Sequence, residues 1–161
     1  MSTLSQAADI ISRYNLTRHP EGGWFSEEYT SHVGTVQDER QLAGSIYFLL
    51  DRRDISHFHE IDCDEIWYYH EGCGLKLWLV LPDGTAEVRL LGIDASKEQA
   101  PMVIIPKGTV FAAENTDPEG FTFLSCLTTP KFRYSGFRLV SRAEFLERFP
   151  SLWNMAESLF L

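Results

Sequence analysis

Cysteine is scarce in this chain, with three residues in 161, at Cys63, Cys73 and Cys126. An odd number without a C-x-x-C pair predicts reduced thiols and argues against both a disulfide framework and a zinc ribbon. Long apolar runs are missing too, since none approaches the roughly 20 residues of a membrane span. Basic residues are few: 14 Lys and Arg stand against 23 Asp and Glu, for a formal net charge of −9. That balance offers no broad cationic face to a phosphate backbone and predicts no nucleic-acid partner. The residues after Met1 (Ser2, Thr3, Leu4, Ser5, Gln6) lack a basic-then-apolar signal pattern, so a cytoplasmic location is expected. Internal repeats, low-complexity segments and linkers are likewise absent.

What remains is an ordinary globular composition, 44% hydrophobic and 23% charged, enough to bury a core in one domain spanning 1–161. A helix is expected over about 3–14, with Leu4, Ala7, Ala8, Ile11 and Tyr14 on one stripe. From about 22 to 140, short apolar or β-branched runs recur between turn signals such as Pro82-Asp83-Gly84. They are Trp24–Tyr29, Leu42–Leu50, Ile55–His59, Glu65–His70, Leu75–Leu81, Thr85–Leu91, Met102–Ile105, Phe121–Thr128 and Phe132–Val140. Many short strands at this spacing predict an all-β sandwich or barrel. Ser141 with Glu144 three residues on reads as a capping box, and Pro150 stops that helix. A last short helix is expected within 152–161, so C-terminal helices occupy about 141–161.

The chemistry concentrates in Ser56-His57-Phe58-His59, followed by Glu65 and Gly72. On a regular strand His57 and His59 share one face and Phe58 takes the other. Two imidazoles and a carboxylate can hold a divalent metal or move protons, and they can also form a purely structural polar network. Glu65, Trp67 and Tyr69 share a face, as do Phe25, Glu27 and Tyr29. Tyr47, Tyr69 and Tyr134 are candidate proton donors. Arg40, Arg133 and Arg138 are candidates to grip a phosphate, although pairing with the abundant carboxylates is the commoner use of surface arginines.

These motifs resemble those of the cupin superfamily. Its first motif, H-x-H, Glu, six residues, Gly, is similar to His57-x-His59, Glu65 and Gly72, with a gap one residue longer. Its second, P-x-G-x-x-H-x-x-x-N, is similar to the stretch Pro106 to Asn115, with Phe111 in place of the histidine. Further segments resemble the DUF985 branch: His19-Pro20-Glu21-Gly22-Gly23-Trp24-Phe25, Ser45 to Leu50, Asp64-Glu65-Ile66-Trp67 and Pro106-x-Gly108. The resemblance covers roughly Leu16 to Pro150. It implies a cupin double-stranded β-helix, or jelly-roll barrel, usually homodimeric, with a ligand pocket at the barrel mouth.

A more distant likeness, to the dTDP-sugar 3,5-epimerases, rests on Gly23-Trp24-Phe25-Ser26-Glu27-Glu28-Tyr29, similar to a stretch that contacts the nucleotide there. It places the catalytic base at His59, with His57 second. Together the resemblances imply a catalytic set of His59, Glu65 and Tyr69. They also imply ligand contacts from His19, Glu21, Phe25, Glu27, Tyr29, Arg40, Tyr47, His57, Trp67 and Phe111. The expected ligand is a small polar molecule, a nucleotide or nucleotide-sugar, epimerised or isomerised without a cofactor. Two rivals stand beside this reading: a metal-dependent enzyme using His57, His59 and Glu65, and a non-catalytic metabolite-binding module.

Overall fold

The computed structural model describes residues 3–34, 39–152 and 154–161. The chain begins with α1 (Thr3–Arg13) and continues through β1 (Thr17–Arg18), β2 (Trp24–Thr30), β3 (Gly44–Leu50), β4 (Ile55–Ile61) and β5 (Asp64–Gly72). Next come β6 (Leu75–Val80), β7 (Ala86–Leu91), β8 (Met102–Ile105), β9 (Val110–Asn115), β10 (Thr122–Thr129), β11 (Phe137–Leu139) and α2 (Arg142–Arg148). The strands form two antiparallel sheets, ordered β1-β2-β3-β10-β5-β8 and β11-β4-β9-β6-β7. This is the jelly-roll sandwich that the strand spacing predicts.

Alternation explains the layers. Inward side chains of both sheets, among them Phe48, Leu50, Trp67, Leu77, Leu79, Ile105, Phe111 and Leu124, meet in one buried core. The outer face of the five-stranded sheet buries Phe58, Val110 and Ala112 beneath Phe145 of α2 and Leu159 of the tail. The outer face of the six-stranded sheet packs Leu49 and Phe123 under Ala7, Ile10, Ile11 and Tyr14 of the α1 segment. Ala8 faces solvent instead of joining that stripe, and Ile10 takes its place. The side chain of Leu4 lies outside the described residues.

Three segments depart from the sequence reading. β9 lies between β4 and β6 and is almost wholly buried, so its Val-Phe-Ala-Ala run lacks the alternation that marks a half-exposed strand. Only Phe137–Leu139 of the expected run Phe132–Val140 is a strand, because Tyr134–Gly136 forms a 3-10 turn. The tail beyond Pro150 holds two 3-10 turns, Pro150–Leu152 and Glu157–Leu159, rather than a further α-helix. Trp153, within that expected helix, lies outside the described residues. Half of the capping box forms: Ser141 Oγ accepts from the Glu144 amide at 3.2 Å, while the Glu144 carboxylate pairs with Arg138 and Arg148 instead of reaching back to the cap. No helix among the described residues is long and apolar enough to cross a membrane.

Candidate functional site

A cavity of about 270 Å³ opens between the sheets at one end of the barrel. Its walls are apolar: Phe25, Ile46, Phe48, Ile61, Phe132 and Tyr134. Its polar lining comes from His19, Glu21, His59 and Glu65, with Ser45, Thr128, Glu27, Tyr29 and Lys131 completing it. His59 is 1% exposed, Glu21 7% and Glu65 8%, so three ionisable groups meet in a nearly dry place.

Glu21 arrives on a tight turn. The Gly22 amide donates to the His19 carbonyl at 3.1 Å, and the His19 amide donates to the Gly23 carbonyl at 3.0 Å. Gly22 has φ +112, and a Cβ there would collide with the carbonyl oxygen of Ile55, so the turn lies directly on β4. β4 grips it in return. The His57 amide donates to the Glu21 carbonyl at 2.9 Å, and His57 Nδ1 donates to the same oxygen at 2.6 Å. Ser56 Oγ donates to Glu21 Oε1 at 2.8 Å.

The strand that does this is not regular. Ser56 pairs with Ala113 and His59 with Phe111, so three steps on β4 match two on β9, a β-bulge. The bulge upsets the alternation that would place His57 and His59 on one face. His59 lines the cavity while the His57 ring turns back onto the Glu21 backbone. That corrects the expectation of two imidazoles side by side.

Hydrogen bonding fixes the His59 tautomer. A carbonyl oxygen can only accept, so Nδ1, 2.7 Å from the His57 carbonyl, carries a proton and donates it. Nε2 faces Glu21 Oε2 at 3.1 Å. Two bare acceptors would repel there, so one proton lies between imidazole and carboxyl. Burial pushes Glu21 up and His59 down from their ordinary values. The Glu21 amide donates to His19 Nδ1 at 3.3 Å, which leaves the His19 proton on Nε2.

Glu65 has a different state. Burial first, and the neighbouring Glu21 second, raise its carboxyl to about 7, with His59 opposing. Glu65 is thus half-ionised near neutrality, while Glu21 and His59 share a held proton. Two groups with separated proton affinities in one cavity can take a proton from one atom and give one to another. The cysteines do not join them: burial pushes the Cys63 thiol to about 12 and Cys126, on the cavity wall, well above its ordinary value.

The other expected residues scatter. Phe25, Glu27 and Tyr29 line the cavity together. The Tyr69 hydroxyl donates to the Gly72 carbonyl at 2.7 Å and stands away from the cavity. Tyr47 packs against Tyr14 and Phe123 on the outer face of its sheet. Trp67 is core, against Phe48 and Phe111. Arg40 and Arg133 both bind Asp62, at 2.8 and 2.9 Å, and Arg138 binds Glu60 at 2.8 Å. Sequence reasoning did not name Lys131, Phe132, Ser45, Ile46, Phe48, Ile61 or Thr128 as lining residues. They belong to no motif and converge only through long-range pairing of β3, β4 and β10. Ser56, the first residue of the Ser56–His59 run, was an available signal for a Glu21 partner.

Cupin metal centres take three histidines and a glutamate, and the residues here do not fit that set. His57 is bound to the backbone of Glu21, and Phe111 packs its ring 4.1 Å from the His59 ring where a third imidazole would stand. Among the described residues, no three His, Cys, Asp or Glu side chains converge as a metal-binding group.

The family described as cupin superfamily (DUF985) matches residues 8–140. A structure of a protein from Shewanella oneidensis is 33% identical, with 96% of this chain and 97% of that one covered and a TM-score of 0.89. A hypothetical protein from Leishmania major is 28% identical over 92% of this chain and 94% of its own, with a TM-score of 0.85. Oxalate decarboxylase of Bacillus subtilis shares the fold at 17% identity and a TM-score of 0.57, with 91% of this chain and 38% of that one covered. Among curated proteins, none matches the chain.

Proposed function

The chain belongs to the DUF985 family of the cupin superfamily, and we propose that it is a metal-independent acid–base isomerase or epimerase acting on a small sugar-like ligand held in the barrel cavity. The observation that carries this reading is the meeting of buried Glu65, Glu21 and His59 in one cavity, with His59 Nε2 3.1 Å from Glu21 Oε2. As a carboxylate, Glu65 removes the proton alpha to a carbonyl. The Glu21–His59 pair delivers its proton to the carbonyl oxygen, giving an enediol. Return of protons in the opposite sense, to the neighbouring carbon or the other face, completes the isomerisation with no net proton consumed.

Aromatic walls beside polar groups suit a sugar ring, apolar on its faces and hydroxylated at its edge. A second reading, in which that sugar carries a nucleotide, draws on Phe25, Glu27 and Tyr29 lining the cavity, the residues that the epimerase-like stretch brings to its nucleotide.

Incubation of the protein with aldoses, ketoses and nucleotide-sugars in deuterium oxide tests the proposal, with proton NMR reading loss of the alpha proton. Exchange is expected from the wild type. It falls by about 100-fold or more in His59→Asn and Glu21→Gln, the usual loss on removing a general acid or base. Saturable binding without exchange would identify a binding module and end the catalytic reading.

A further inference from the structure

The charged groups around the cavity mouth narrow the ligand further. Glu21, Glu27 and Glu65 supply three carboxyl groups to the lining, and Lys131 is the one Lys or Arg among the described lining residues. Lys131 is already engaged. Its Nζ donates to Thr30 Oγ1 at 2.8 Å and stands 3.7 Å from Glu27 Oε1. The arginines that could have gripped a phosphate are held by Asp62 and Glu60. An anionic ligand entering this low-dielectric cleft would meet the ionised form of Glu65 and, among the described lining residues, no Lys or Arg left unengaged to balance its charge.

We propose that the cavity selects uncharged or amine-bearing sugars and rejects phosphorylated and carboxylated ones, with Glu27 as the residue that sets this preference by neutralising Lys131. The proposal rests on the cavity being the ligand site, and it favours the free sugar over the nucleotide-sugar. Glu27 sits on β2 with its side chain 64% exposed and, among the described residues, makes no hydrogen bond or ion pair to Glu21 or His59, so its substitution alters the charge at the mouth.

Thermal-shift titration with matched probes tests this in the gluco, galacto, manno and ribo series. Each series contains the parent sugar and its sugar phosphate, with the amino sugar and the uronate added for the hexoses. Wild-type protein should be stabilised by at least one parent or amino sugar, since any ligand of the folded state raises its melting temperature. The phosphate and uronate of the same series should bind at least tenfold more weakly. Glu27→Gln, which frees Lys131, should raise the affinity for the phosphate relative to that for its parent sugar by about three- to tenfold.

Tighter wild-type binding of a sugar phosphate or nucleotide-sugar than of its parent overturns the selection. An unchanged affinity for the phosphate relative to its parent sugar in the variant overturns the assignment of Glu27. No response to any probe at 50 mM, about the weakest useful affinity, overturns the sugar class itself. Stabilisation without deuterium exchange removes the catalytic proposal and leaves charge selection standing. Exchange confined to sugar phosphates does the reverse.

Discussion

Glu65→Gln is expected to make the protein more stable and inactive at once. The folded chain holds the Glu65 proton up to about pH 7, against an ordinary value of 4.5. Between those values the unfolded chain has lost that proton and the folded chain has not. Raising the pH through this window therefore favours unfolding, and above about 7 the penalty is complete. A shift of this size corresponds to about 3 kcal/mol at about 1.4 kcal/mol per unit. Removing the ionisable group should return an amount of that order at pH 8 and nothing at pH 4.5.

Neighbouring groups act on the same curve. Glu21, raised by burial, contributes with the same sign. His19 and His59, lowered by burial, destabilise the fold in the other direction as pH falls below about 6.5. The difference between variant and wild type, measured by urea unfolding across pH 4.5–8, reports Glu65 together with its coupling to Glu21 and His59. Proton exchange into a sugar should fall at least 100-fold in the same variant, as for loss of a general base. A variant less stable than wild type at pH 8 would mean that Glu65 is held as a satisfied carboxylate.

Gly22→Ala is expected to be the most damaging single methyl in the site. The backbone at Gly22 has φ +112, and the added Cβ would meet the Ile55 carbonyl, a backbone atom that cannot swing aside. Gly84 gives the control. Its φ is +87 but open space surrounds it, so alanine there meets conformational strain alone, about 1 kcal/mol. The Gly22 variant should lose about 3 kcal/mol or more, and the excess over Gly84→Ala reports the close approach of the turn to β4. Because the turn carries Glu21, the variant should also lose proton exchange even below its melting temperature. Equal losses at the two positions would show that the turn has room to lift off the strand.

Much of the fold could be read from the sequence because its signals are local. Turn chemistry at Pro82-Asp83-Gly84, strand alternation in Phe25 and Glu27, and the Ser141 cap each depend on a few adjacent residues. The missing histidine at Phe111 was visible in the same way, and its buried ring against His59 gives that substitution a physical meaning. The site was only partly legible. A β-bulge between Ser56 and His59 leaves no mark in composition, yet it decides which histidine faces the cavity. Glu21 comes from a turn before the barrel, far in sequence from His59, and only the fold brings its carboxyl within 3.1 Å of the ring. Tyr69, Tyr47 and the three arginines were reasonable candidates by residue type, but each is bonded or packed elsewhere. What the strand pattern cannot encode is which of several equivalent side chains finds a nearer partner.

The most direct test is a carbon-13 NMR titration of the glutamate carboxyl carbons, with Glu65 and Glu21 assigned through Glu65→Gln and Glu21→Gln. Glu65 should titrate near pH 7, and Glu21 should titrate above its ordinary value, raised by burial. If both carboxyls titrate near 4.5, the cavity holds two plain carboxylates and no paired acid and base, and the proposed proton transfer is wrong.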